Sequence, residues 1–103
     1  IVGDDVIMTG GTLLANVQAL KEQGAKDVWV FATHGLFCDG ALNPFAESDI
    51  TGILVTDTVP IDARLKPDNL TILTVSGLLA ETIMNVFSDD SVSAIFGGEN
   101  QLF

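Results

Sequence analysis

The strongest constraint on the fold is a set of short apolar runs rich in β-branched residues. Residues 27–33 (DVWVFAT), 52–58 (GILVTDT) and 69–75 (NLTILTV) carry these runs, and each is too short to be a helix of its own. Segments with helical periodicity lie before the first run and after the third. Continuous apolar strands that alternate with helices are typical of a parallel sheet covered by helices. The sequence therefore predicts an α/β fold with a mostly parallel sheet flanked by helices.

The helices are predicted from apolar spacing and from capping residues. The first helical stripe comprises Leu13, Leu14, Val17 and Leu20. Thr12 is the expected N-cap of this helix, and Gly24 is the expected terminating residue. The second stripe follows Ser76 and comprises Leu79, Ile83, Val86 and Phe87. Pro44 in residues 39–48 is compatible only with a short helix or with the early turn of a helix.

Charge and composition limit the kinds of molecule that this protein is expected to bind. The 103 residues carry a formal net charge of −10 with only four basic side chains, so nucleic acid and anionic membranes would be repelled. No apolar run approaches the length of a membrane span. The single cysteine, Cys38, cannot form an internal disulfide, and it has no neighbouring thiol or histidine cluster that would suggest zinc. We expect a cytoplasmic protein that binds neither nucleic acid nor membranes.

The most informative segment for function is residues 3–12, GDDVIMTGGT. Asp4 and Asp5 are expected where a strand ends, and residues 9–12 where a helix begins. The first amides of a helix have no intrahelical partner and lie at the positive end of its dipole, so they bind phosphate without a lysine. The two carboxylates suit sugar hydroxyls or a divalent cation on another part of the same ligand. The segment therefore predicts a sugar phosphate site.

This segment resembles the ribose-phosphate loop of the type I phosphoribosyltransferase fold. The remaining motifs, including ATHGLF, ILVTDTVP, ILTVSGLLAETI and SVSAIFG, resemble in order and spacing the C-terminal domain of ribose-phosphate pyrophosphokinase. The resemblance covers nearly all of the chain. It implies that ribose 5-phosphate is bound by Asp4, Asp5, Thr9, Gly10, Gly11 and Thr12. It assigns neither a catalytic residue nor a protein metal ligand to this chain.

The resemblance also implies an activity and partners. The family transfers a pyrophosphoryl group from ATP, with Mg2+, to ribose 5-phosphate and forms phosphoribosyl pyrophosphate. The ATP site would lie mostly outside this chain, and a homo-oligomer is expected. Ser91, Ser93 and Phe96 match positions of a regulatory phosphate or ADP site between subunits. The abrupt start at Ile1 and Val2 suggests that residues 1–103 are part of a phosphoribosyltransferase-like domain whose upstream part and N-terminal domain are absent.

One departure from the family leaves other functions open. Met8 stands where the family usually has aspartate, so a polar contact to the sugar is missing. The family's cationic catalytic loop lies upstream, and we expect the isolated chain to be inactive. The alternatives are a non-catalytic subunit or fragment of this family and a nucleobase phosphoribosyltransferase. His34 is expected to be structural, Cys38 to have no role, and Trp29 to lie in the core or at an interface.

Overall fold

A computed structural model of the chain describes residues 1–97, which fall into two compact units divided between Leu73 and Thr74. The first unit contains a four-stranded sheet in the order β1-β2-β3-β4, and all three strand pairs are parallel. Its strands are β1 (Val2–Ile7), β2 (Trp29–Gly35), β3 (Gly52–Thr56) and β4 (Leu70–Leu73). Its helices are α1 (Gly11–Glu22) and α2 (Leu42–Glu47), the latter preceded by a 3-10 turn at Cys38–Gly40. The predicted parallel α/β architecture is confirmed.

Helix α1 begins earlier than its capping residue predicted. Its N-cap is Gly10, in the left-handed region at φ 75, and no side chain caps the helix. The prediction that Thr12 caps α1 is wrong, because Gly10 makes the turn and Thr12 already lies in the first helical turn. The other end is confirmed: α1 stops at Glu22, and Gly24 adopts φ 98 with its N–H donating to the Lys21 carbonyl at 3.0 Å.

The core of the first unit lies among the sheet, α1 and α2. Its fully buried large side chains are Phe45, Ile7, Ile53, Leu70, Val28, Val30 and Val55. Trp29 is 44% exposed. Of the two positions predicted for Trp29, the core position is wrong, because strand alternation buries Val28 and Val30 and turns the residue between them outward; the interface position stays a prediction.

The second unit contains α3 (Ser76–Phe87) and a 3-10 helix at Val92–Phe96. The helix predicted after residue 75 is confirmed, but every large apolar side chain of its stripe is exposed: Leu79, Ile83, Val86 and Phe87. No helix among residues 1–97 is both long enough and apolar enough to cross a bilayer.

Candidate phosphate-binding site

The candidate site lies where β1 leads into α1, at the carboxyl edge of the sheet. β1 continues to Ile7, and its pairing with β2 includes Asp4 with Ala32 and Val6 with His34. The prediction that Asp4 and Asp5 stand at the strand end is therefore wrong: both lie inside β1. The apolar residues Val6 and Ile7 extend the strand past them, so only residues 8–10 connect β1 to α1.

The connection presents backbone N–H groups to one side. Left-handed Gly10 precedes right-handed Gly11, and such a change of hand turns successive N–H groups into a common concavity that suits an anion. The N–H of Leu14 donates to the Gly10 carbonyl at 2.9 Å and closes the first turn. The amides before Leu14 have no intrahelical acceptor, and the first turn of α1 contains no acidic side chain that would oppose a bound anion.

Gly10 and Gly11 differ in what a side chain at each position would contact. A Cβ added at Gly10 would overlap the ring of Phe45, which is completely buried, and φ 75 is itself unfavourable for other residues. A Cβ added at Gly11 would have no heavy atom within 4 Å. The loop can therefore pack on α2 because position 10 is glycine, whereas the fold does not require glycine at position 11.

A pocket of about 240 Å3 opens at this loop. Its lining residues are Asp4, Val6, Ile7, Met8, Thr9, Gly10, Gly11, Thr12 and Leu13. The lining thus contains five of the six predicted ribose-phosphate residues. Asp5 is exposed but does not line the pocket. The structure therefore places the two carboxylates in different surroundings, which the sequence pair alone did not indicate.

Each carboxylate is held locally by the backbone. Oδ1 of Asp4 accepts from the Asp5 N–H at 2.8 Å, and Oδ1 of Asp5 accepts from the Val6 N–H at 2.9 Å. Hydrogen bonding with the Asp4 side chain, followed by hydrogen bonds from backbone amides, holds the pKa of Asp5 below its ordinary value; nearby His34 adds a smaller effect in the same direction. Asp5 is therefore ionised at neutral pH and acts only as a hydrogen-bond acceptor.

Residues 36–38 form a second loop that supports residues 8–12, which we call the phosphate loop. Sequence reasoning missed this second loop. The N–H of Leu36 donates to the Ile7 carbonyl at 2.9 Å, and the N–H of Cys38 donates to the Met8 carbonyl at 2.9 Å. The chain reaches this geometry through a left-handed Phe37 at φ 49, whose ring packs edge-on against Phe45 at 5.4 Å between centroids. Cys38 thus contributes its amide, while its thiol remains free and half-buried.

Met8 is 55% exposed and lines the pocket. Met8 therefore does not follow Ile7 into the core, and a thioether contributes to the pocket wall where the family was expected to carry a carboxylate.

The other predicted residues are described by their own local contacts. In the second unit the hydroxyls of Ser91 and Ser93 are 2.6 Å apart, and Phe96 is 51% exposed. His34 is half-buried, with Nδ1 2.6 Å from Oγ1 of Thr58. Within residues 1–97, no group of three or more histidine, cysteine, aspartate or glutamate side chains is arranged to hold a metal ion.

A parallel sheet with a glycine loop and a helix N-terminus at its carboxyl edge, and with a strand carboxylate lining the same pocket, defines the class of an α/β domain suited to a phosphate ligand. The family model described as "Phosphoribosyl synthetase-associated domain" matches residues 1–97. The chain belongs to this family.

Similar proteins carry a consistent name. A ribose-phosphate pyrophosphokinase from Pasteurella multocida is 43% identical over 97 residues, and one from Shewanella oneidensis is 45% identical over the same length. The crystal structure of phosphoribosylpyrophosphate synthetase from Mycobacterium smegmatis matches with a TM-score of 0.81 and 44% identity, covering 84% of this chain and 29% of that one. The matches to the two bacterial enzymes cover 93% of this chain and 31% of theirs, so the chain spans about a third of those relatives.

Proposed function

We propose that this chain supplies the ribose 5-phosphate-binding part of a ribose-phosphate pyrophosphokinase. Such an enzyme transfers a pyrophosphoryl group from ATP to ribose 5-phosphate and forms phosphoribosyl pyrophosphate for nucleotide biosynthesis. The observation that carries the proposal is the open backbone at Gly11, at a helix N-terminus and in one pocket with Asp4. Family membership and the names of the similar proteins support it.

The proposed roles follow from the chemistry of each group. The amides of residues 10–12 hold the 5-phosphate, and the hydroxyls of Thr9 and Thr12 add donors at the same pocket. The carboxylates of Asp4 and Asp5 accept hydrogen bonds from the ribose hydroxyls. Among residues 1–97, no cationic side chain lines the pocket, so the phosphate charge is balanced by the helix dipole and by a cation that the ligand brings.

The residues fit Mg2+ that arrives with the ligand rather than a resident metal ion. Mg2+ in phosphoryl-transfer sites is commonly held by one or two carboxylates, several waters and substrate oxygens. Asp4 and Asp5 provide two carboxylates, and residues 1–97 provide no larger ligand cluster. Asp4 and Asp5 would hold the ion through its waters, and the bound ion would neutralise charge on the transferred group.

The wider assignments are part of the same proposal. The chain would belong to the C-terminal domain of the enzyme, with a type I phosphoribosyltransferase fold, and the site for ATP would lie mostly on segments outside residues 1–103. The enzyme would be a cytoplasmic homo-oligomer. Ser91, Ser93 and Phe96 would contribute to a regulatory phosphate or ADP site; the 2.6 Å contact between the two serine hydroxyls keeps polar groups together there.

A non-catalytic member of the family is the second candidate. The observation that favours it is Met8, which exposes a thioether in the pocket where a carboxylate was expected. Such a chain would bind ribose 5-phosphate weakly and would not support turnover.

Calorimetry with ribose 5-phosphate tests the binding role directly, and AMP formation from ATP and ribose 5-phosphate tests turnover. We expect measurable binding and no AMP from the isolated 103 residues, because none of the described residues that line the pocket carries a positive charge that could stabilise polyphosphate. Binding of ribose 5-phosphate would be absent if the proposal were wrong. Consumption of phosphoribosyl pyrophosphate with a nucleobase would instead identify a nucleobase phosphoribosyltransferase.

A further inference from the structure

One buried ring supports the phosphate loop without lining its pocket. Phe45 belongs to α2 and is completely buried. The edge of its ring, at Cε2 and Cζ, occupies the space that a side chain at position 10 would take, so the backbone of Gly10 rests directly on it. Phe45 is not among the residues that line the pocket. The ring therefore supports the left-handed turn at Gly10 from outside the pocket.

The same ring also holds the second loop. The rings of Phe37 and Phe45 meet edge-on, with 5.4 Å between their centroids and 85° between their planes. Such edge-to-face pairs are favourable beyond the area that they bury. Phe37 is buried and adopts φ 49, a left-handed conformation that a bulky residue keeps only where packing compensates for its steric cost. The contact with Phe45 supplies part of that compensation.

Phe37 matters to the phosphate loop because the second loop donates hydrogen bonds to the carbonyls that lead into it. The N–H groups of Leu36 and Phe37 donate to the Ile7 carbonyl at 2.9 and 3.2 Å. The N–H of Cys38 donates to the Met8 carbonyl at 2.9 Å. Each of these carbonyls shares a planar peptide group with the N–H of the next residue, and in a trans peptide the two point in opposite directions. The second loop therefore turns the two following N–H groups away from itself.

Phe45 thus acts on the phosphate loop by two routes. Its ring directly fixes the position of Gly10, and through Phe37 it fixes the carbonyls that the second loop holds. Every contact in both routes is made by backbone groups or by buried rings, and none of them needs a ligand. Thr9 lies between these fixed points, and its N–H belongs to the same peptide group as the Met8 carbonyl. The direction of the loop amides is therefore set before any anion binds.

We propose that Phe45 is a positioning residue for the amides of the phosphate loop: its ring holds Gly10 and Phe37 in place and so keeps those amides aimed at one anion. The identity of the ligand rests on the proposed function, whereas the attachment of both loops to one ring is a property of the free protein. Phe45 acts through the backbone of the loop and does not touch the substrate. Replacing a ring that only fills the core would change stability but neither the loop amides nor the affinity.

Amide hydrogen exchange of the free protein provides the first test. Phe45→Leu keeps an apolar side chain but removes the ring edge, and Leu70→Val is the matched control, since Leu70 is also fully buried and lies on β4, at the opposite edge of the sheet from β1. We expect Phe45→Leu to speed exchange at Leu36 and Cys38 about two- to tenfold more than at Ile53 in β3, the effect of one aromatic pair. The control should show no such excess. Equal acceleration at all three amides in Phe45→Leu would overturn the proposal.

Anion binding provides the second test. At a temperature where both variants are folded, Phe45→Leu should weaken ribose 5-phosphate binding about two- to tenfold, the effect of one hydrogen bond, and Leu70→Val should leave it unchanged. NMR titration with inorganic phosphate should show a loss of the same size, because positioning acts on the amides and not on the sugar. Parent-like affinity in a folded Phe45→Leu protein, or a loss confined to ribose 5-phosphate, would refute the positioning role. Failure of the parent to bind ribose 5-phosphate would refute the proposed function instead, and hydrogen exchange would still decide the attachment of the two loops.

A second variant keeps the test valid if Phe45→Leu does not fold. Phe37→Leu removes the edge-on contact and leaves the ring of Phe45 against Gly10. Exchange at Leu36 and Cys38 should again be faster relative to the β3 amide, and affinity for ribose 5-phosphate should fall about two- to tenfold. The matched control is the same β4 variant. Unchanged exchange or unchanged affinity in a folded Phe37→Leu protein would contradict the proposal.

Discussion

The neighbouring glycines of the phosphate loop permit a matched test of what each contributes. Gly10 adopts φ 75, and a Cβ added there would meet the buried ring of Phe45, whereas a Cβ at Gly11 would enter open space. Gly11 also lines the pocket. We therefore expect Gly10→Ala to affect folding and Gly11→Ala to affect ligand binding, although the two substitutions are adjacent and chemically identical.

The two substitutions should change the free energy of unfolding by different amounts and in different directions. Holding alanine in a left-handed conformation costs about 1 to 2 kcal/mol, and overpacking against a buried ring costs about 1 to 3 kcal/mol more. Gly10→Ala should thus lower the free energy of unfolding by about 2 to 5 kcal/mol. Gly11→Ala should leave it unchanged or raise it by up to about 1 kcal/mol, since alanine favours a helix over glycine.

Affinity for ribose 5-phosphate should be lowered more by Gly11→Ala than by Gly10→Ala, provided that both variants fold. The methyl group of Gly11→Ala would occupy pocket space beside the first helical amides and remove at least one charge-assisted hydrogen bond to phosphate. Such a bond contributes about 1.5 to 3 kcal/mol, which corresponds to about ten- to a hundredfold in affinity. Urea unfolding followed by Trp29 fluorescence and calorimetry with ribose 5-phosphate measure the two effects. Unchanged affinity in a folded Gly11→Ala protein would show that phosphate does not bind at these amides.

Three further predictions concern side chains. Asp4→Asn and Asp5→Asn should each weaken ribose 5-phosphate binding about ten- to a hundredfold in calorimetry, because an amide loses the charge-assisted acceptor; parent-like affinity in both would make the carboxylates bystanders. Met8→Asp should improve that affinity by about 1 kcal/mol or more without lowering the melting temperature, because Met8 is exposed in the pocket; a lower melting temperature with no gain in binding would contradict this. The pKa of Asp62 is held below its ordinary value by hydrogen bonds from Arg64, so the ion pair's contribution to stability is present above the ordinary aspartate pKa and is lost as pH falls through the depressed value. In Arg64→Gln, NMR titration should therefore find the Asp62 carboxyl protonating at a higher pH than in the parent.

Much of the fold was predictable because its signals are local. Three of the four strands were recognised from their β-branched runs, and their ends shifted by no more than two residues. β1 was the exception, since carboxylates at positions 4 and 5 interrupt its apolar pattern, and its full extent depends on pairing with β2. Helix positions followed the apolar spacing, but the start of α1 was set by the left-handed Gly10 rather than by a side-chain cap.

The candidate site, like the fold, was predictable from the sequence only in its local features. The segment from Asp4 to Thr12 by itself determined that backbone amides and at least one carboxylate would lie close together, because a strand, a tight turn and a helix N-terminus follow each other within one short stretch. Only the tertiary structure decided that Gly10 packs on Phe45, that Met8 faces the pocket, and that Asp4 lines the pocket while Asp5 does not. The bond from His34 to Thr58 spans 24 positions along the chain. Contacts of that kind depend on which strands become neighbours, and the local periodicity of the sequence does not encode which strands pair.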